Sequence, residues 1–257
     1  MTLAPPFATA TETAAAASTR VRDRLDGPDR EARVIASGPH AVYLQDAGGV
    51  LAVLGRYAAA VPCGLRTQVE QLPPTDAAVI GGGHCLLGNL DVVVRRVVDT
   101  RVPSLGPIAA NAWPCDTDLE AATCELPADA LQRLGEGDAG AVGDLLGRGS
   151  GLTPTGDDVL AGWLVTAGAT GLDHAGVASA VAVHAPSRTT AISAALLHAA
   201  VRGEAIPQLR ILLLALRSGT AVPQALRRLL AVGHTSGAGL ALGVRLALHQ
   251  APPRRHP

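Results

Sequence analysis

The chain contains no lysine; every cationic side chain other than histidine is arginine. Genomic base composition is the plain explanation, yet the absence excludes chemistry. No Schiff base, no pyridoxal phosphate (PLP) anchor and no nucleotide P-loop lysine can come from this chain. Aromatic residues are scarce as well: Phe7, Tyr43, Tyr57, Trp113 and Trp163 are all that 257 residues hold. Stacking platforms for single-stranded nucleic acid are therefore not expected. Nor is there an excess of one charge, and a formal net charge of −1 gives no general drive toward nucleic acid or an anionic membrane. Long apolar runs are missing too; Ile211 to Leu216 is far too short to cross a bilayer. Cys63, Cys85, Cys115 and Cys124 form no C-x-x-C pair, which argues against a zinc knuckle or redox motif. Reduced thiols in a cytoplasmic protein are the simplest reading.

What is present is an apolar share of 48%, enough for a substantial core of Ala, Val and Leu. Residues 1–25 are Ala/Thr-rich with Pro5-Pro6 and no basic n-region, and read as a disordered leader rather than a signal peptide. Residues 26–126 read as β-rich. Short β-prone runs at 32–36, 41–44, 50–54, 67–70, 84–87 and 90–94 are separated by turn residues such as Gly38-Pro39 and Asp46-Ala47-Gly48-Gly49. This spacing predicts an antiparallel β meander or barrel-like domain. Residues 127–251 read as a helical bundle, with helices near 127–147, 155–169, 174–184, 187–202, 205–217, 221–231 and 236–250. Residues 252–257 read as a disordered tail. The expected fold class is α+β, sheet first and helices second.

Three helix starts carry the candidate chemistry. In the first, Gly149, Gly151 and Gly156 surround Thr153-Pro154-Thr155, and Asp157 and Asp158 open an almost wholly apolar helix. A capping device with Thr153 or Thr155 as the cap and Pro154 at the first helical position is the plainer reading. The functional reading is a loop whose amides hold an anion, with the two carboxylates holding Mg2+ or Mn2+ or a substrate amine. The second is Pro186-Ser187-Arg188-Thr189-Thr190-Ala191-Ile192-Ser193. Here Arg188 suits a forked contact to phosphate or carboxylate, beside the hydroxyls of Thr189, Thr190 and Ser193; a Ser187 cap with a solvated Arg188 is the plainer alternative. The third is Gly233-His234-Thr235-Ser236-Gly237-Ala238-Gly239. Thr235 or Ser236 would cap the last helix, the amides at Thr235, Ser236 and Gly237 would hold a phosphate or carboxylate, and His234 is the candidate for proton transfer. A histidine bonded to a nearby carbonyl is the bland reading there. If these starts converge, Asp157, Asp158 and His234 are the catalytic candidates of one small-anion pocket.

The same segments resemble a family. Gly-Leu-Thr-Pro-Thr-Gly-Asp-Asp at 151–158, Arg-Thr-Thr-Ala-Ile-Ser at 188–193 and Gly-His-Thr-Ser-Gly at 233–237 resemble the AllH-like domain family, over roughly residues 30–250. The first motif is fairly specific; the others support it by order and spacing. The resemblance implies a subunit of bacterial oxamate carbamoyltransferase, which works with two larger subunits at the end of anaerobic allantoin breakdown. That enzyme interconverts oxalurate and phosphate with oxamate and carbamoyl phosphate. The chain departs from the pattern at Gly239, where the family leads one to expect an aspartate. A non-catalytic assembly subunit and a stand-alone metal-dependent hydrolase or phosphotransferase are the alternatives.

Overall fold

The computed structural model describes residues 10–114 and 119–249, so the expected tail at 252–257 lies outside the described residues. The chain divides into two compact units, residues 1–100 and 101–257, rather than at the expected boundary near 126.

The first unit is a closed eight-stranded barrel in the order β1-β5-β4-β3-β2-β6-β7-β8. Its strands are β1 (Thr11–Ala17), β2 (Arg30–Ser37), β3 (Ala41–Asp46), β4 (Gly49–Leu54), β5 (Gly64–Arg66), β6 (Ala77–Gly81), β7 (His84–Leu87) and β8 (Leu90–Val97). The expected leader is thus structured over residues 11–25. β1 closes the barrel by running parallel to β8, from Thr11 opposite Leu90 to Ala17 opposite Val97. The helix α1 (Thr19–Leu25) follows, capped by Ser18, whose hydroxyl accepts the Val21 N–H. Ala15, Ala17, Val21 and Leu25 are buried in one cluster with Leu44, Leu51, Val53 and Ile80. Burial of this apolar face offsets the weak strand preference of an alanine-rich segment. Parallel pairing of β4 with β5 is a second departure from an antiparallel meander. The strand expected at 67–70 falls instead at Gly64–Arg66. There Leu65 fills the interior, while the Thr67 hydroxyl turns back to the Leu54 carbonyl.

The second unit is helical: α2 (Glu120–Thr123), α3 (Ala128–Gly135), α4 (Val142–Leu145), α5 (Thr155–Thr170), α6 (Ala175–Arg188), α7 (Ala191–Val201), α8 (Pro207–Ser218), α9 (Val222–Leu230) and α10 (Ser236–Leu248). The helix expected over 127–147 is interrupted, because Gly137 adopts φ +80° and the Asp138 carboxylate caps the Gly140 N–H. α5 is the central element; only Ala161 and Gly168 escape burial. Its buried hydroxyls are satisfied by the helix itself, Thr166 donating to the Gly162 carbonyl at 2.7 Å and Thr170 to that of Thr166 at 2.8 Å. No described helix is long and apolar enough to cross a membrane.

α5 and α10 approach through glycines. A Cβ on Gly162 would lie 2.2 Å from the Leu240 carbonyl oxygen. One on Gly243 would lie 2.1 Å from the Val159 carbonyl oxygen and 2.6 Å from the Trp163 nitrogen. Backbone cannot yield as a flexible side chain can, so Gly243→Ala must push the helices apart. The expected cost is about 1–3 kcal/mol, read as a fall in the urea midpoint at unchanged m-value.

Candidate functional site

The loop before α5, the α6–α7 junction and the start of α10 meet around the first turn of α5. Asp157, 1% exposed, is the hub on one side. Its Oδ1 accepts the Gly147 N–H at 2.7 Å, and its Oδ2 accepts the Ser193 hydroxyl at 2.6 Å and the Thr189 hydroxyl. Gly147 sits at φ +73° and approaches the Arg188 carbonyl so closely that a Cβ would lie 2.2 Å from it. Thr190 fixes the neighbouring loop: its hydroxyl donates to the Leu152 carbonyl at 2.6 Å and accepts the Ser193 N–H at 3.0 Å. Burial raises the Asp157 pKa, and the Gly147, Ser193 and Thr189 donors work against that rise.

On the opposite side, Asp158 turns toward α10. The Thr153 and Ser236 hydroxyls there lie 3.0 Å apart, and the Thr155 hydroxyl reaches Glu125 at 3.1 Å and Thr235 at 3.4 Å. Asp158 Oδ2 is buried without a hydrogen-bond partner among the described residues. Desolvation pushes the Asp158 pKa up to about 8; the Ser236 hydroxyl opposes this, the Asp157 charge adds to it, and the Thr153 hydroxyl opposes it. At neutral pH Asp158 is therefore mostly a neutral acid with an O–H to donate.

Gly239 packs directly on this carboxyl: a Cβ there would sit 2.8 Å from Asp158 Cβ and 3.1 Å from the Thr155 carbonyl oxygen. A side chain at position 239 does not fit beside Asp158 in this arrangement.

Several expected roles change. Neither Thr153 nor Thr155 caps α5. Pro154 holds the cap position with no side-chain cap bond, and both threonine hydroxyls are turned to other segments. α6 continues through Pro186 to Arg188, and the next helix begins after the Thr190 cap, not at Ser187. Arg188 thus closes a helix instead of opening one. It is exposed, with Nη1 3.6 Å from where a Gly143 Cβ would be, and its charge is among those that lower the Asp144 pKa, behind Arg133. The Gly156 amide is taken by the Arg148 carbonyl and the Gly237 amide by that of Val232, both at 2.9 Å. Neither is left to cradle an anion.

Gly149, at φ +106°, folds the loop back so tightly that a Cβ would lie 2.7 Å from the Thr155 nitrogen, whereas Gly151 faces open space. His234 is exposed in its turn and makes no hydrogen bond or ion pair among the described residues. Sequence reasoning missed Gly147, the Leu152 carbonyl and Glu125. Only Gly147 had a signal, as a glycine just before the motif.

The donor set does not suit a resident Mg2+ or Mn2+. Such ions need several converging oxygen ligands, whereas Asp157 already accepts three donors and the two carboxyls face different neighbours. No group of three or more His, Cys, Asp or Glu among the described residues is placed to hold a metal.

With all three motifs in one arrangement, a comparison with known families becomes informative. Residues 145–248 match the family model of oxamate carbamoyltransferase subunit AllH. The AllH match begins at the last residue of α4 and ends at the last residue of α10. It therefore contains every hydroxyl and carboxyl placed around Asp157 and Asp158 except Glu125, and covers less than half of the chain. No curated protein and no solved structure matches the chain significantly.

Proposed function

We propose that this protein is a cytoplasmic subunit of an oxamate carbamoyltransferase-type assembly, working with the other subunits of that complex. In this reading the junction of the three segments receives a small carboxylate-amide, oxamate or oxalurate, during exchange with carbamoyl phosphate or phosphate. The observation that carries it is the buried Asp158 carboxyl beside the Thr153 and Ser236 hydroxyls, its Oδ2 left without a hydrogen-bond partner among the described residues. A neutral acid donates to a carboxylate or carbonyl oxygen without the repulsion that an ionised one would add. Asp157 acts as a positioning residue, holding Thr189, Ser193 and the Gly147 turn. Arg188 and His234, exposed on the converging segments, are the groups left for a phosphate oxygen or a proton.

The test is oxamate-dependent phosphate release from carbamoyl phosphate by the copurified assembly. Thr153→Val with Ser236→Ala removes two neutral donors at about 1 kcal/mol each, so kcat/KM should fall roughly 10–100-fold. A second reading, a non-catalytic assembly subunit, is favoured by one observation. The glycines at 147, 156 and 237 each bring this chain's own backbone segments into close approach, as packing alone would require. Under that reading the double variant turns over normally while the assembly stays intact.

A further inference from the structure

The far end of α10 borders a second feature, independent of the proposed carbamoyl chemistry. A cleft of about 620 Å³ is lined by Ala110, Asn111, Trp113, Arg245, Leu246 and His249. This lies in the size range of small-molecule sites. α10 has 13 residues, so its two ends are about 20 Å apart, and the cleft is separate from the Asp158 cluster.

Its wall combines three kinds of group. Arg245 is partly buried and has no ion-pair partner among the described residues. Trp113 is 5% exposed, and its indole N–H is buried without an acceptor among the described residues. The His249 Nδ1 lies 2.8 Å from the Arg245 carbonyl oxygen. A carbonyl only accepts, so Nδ1 carries the proton, and Nε2 is left for a ligand hydroxyl or amide. Ala110 and Leu246 supply apolar surface beside the indole.

We propose that this cleft binds a small organic acid, its carboxylate on the Arg245 guanidinium and its apolar or planar body against Trp113 and Leu246. A guanidinium presents a forked donor pair matched to a carboxylate. An inorganic anion would leave the apolar wall unused.

Benzoate is the probe, and benzamide is its uncharged counterpart of the same shape. Fragments of this size bind with Kd of about 1 mM, so both are titrated into the full-length protein by calorimetry at constant ionic strength. Benzoate should bind, and benzamide should bind at least roughly tenfold more weakly, as should benzoate to Arg245→Gln, because each change removes one charge-assisted pair. Tryptophan fluorescence of the wild type gives a second readout, since only Trp113 and Trp163 emit and Trp163 is fully buried. Equal binding of benzoate and benzamide, undiminished binding to a folded Arg245→Gln, or no binding of benzoate overturns the proposal.

Discussion

Asp157→Ala should cost the helical unit about 2–4 kcal/mol at pH 7, because neutral donors buried around the carboxyl lose their acceptor. The deleted carboxylate leaves three donors behind: the Gly147 N–H, the Thr189 hydroxyl and the Ser193 hydroxyl. They belong to two segments distant in sequence, Gly147 and the 189–193 stretch, so the loss is not confined to one turn. Ser193→Ala and Thr189→Ala should each cost only about 1 kcal/mol, because the carboxylate keeps its other donors. In the Asp157→Ala background either hydroxyl substitution should cost little, giving a coupling energy of about 1 kcal/mol in a double-mutant cycle. Urea denaturation checks both statements. A loss below about 1 kcal/mol for Asp157→Ala would mean that the hub is not holding the segments together.

Asp158→Asn should act in the opposite direction, and only above mildly acidic pH. Burial pushes the folded pKa of Asp158 up to about 8 from its ordinary value of 3.8. Below both values the folded and unfolded chains are equally protonated, and Asp158 has no effect on the pH dependence. Between them the unfolded chain gives up its proton while the folded chain keeps it. The folded state then loses up to about 1.4 kcal/mol per pH unit, and the loss levels off above pH 8. Wild-type destabilisation on the order of a few kcal/mol by pH 8 is expected. Asparagine does not titrate and keeps a donor in the same place. The variant should therefore be the more stable protein at pH 8, and the two should converge near pH 4. Melting curves across this range decide it. A parallel pH dependence in both proteins would show that Asp158 is an ordinary ionised carboxylate.

Ala41–Asp46, which alternates buried and half-buried residues, and Gly49–Leu54, a continuous apolar run bounded by turn residues, were legible in the sequence because each carries its own apolar pattern. β1 was not. Thr11–Ala17 has the composition of a linker, and its strand state comes from a seven-residue register against β8, a long-range pairing that no local pattern encodes. Pro186 misled in a similar way. It is tolerated in the last turn of α6 and does not mark the start of the next helix.

At the site, the convergence of the three motifs was readable because each pairs hydroxyls with a helix start. The direction of each side chain was not. Adjacent residues on a helix point about 100° apart, and this sends Asp157 toward Ser193 and Asp158 toward Ser236. A reading of two neighbouring aspartates as one cation site overlooks that divergence.

The central claim is that the carboxyl beside Thr153 and Ser236 recognises a small carboxylate-amide in its neutral form. The most direct measurement is calorimetric titration of oxamate into the protein, alone and with its partner subunits, from about pH 6 to pH 9.5, spanning the raised Asp158 pKa. Oxamate stays a monoanion throughout that range, so any pH dependence belongs to the protein. The account predicts wild-type affinity that falls as pH rises through about 8, and an Asp158→Asn variant whose affinity stays flat. Oxamate affinity that is absent under both conditions, or that follows the same pH course in both proteins, would contradict it.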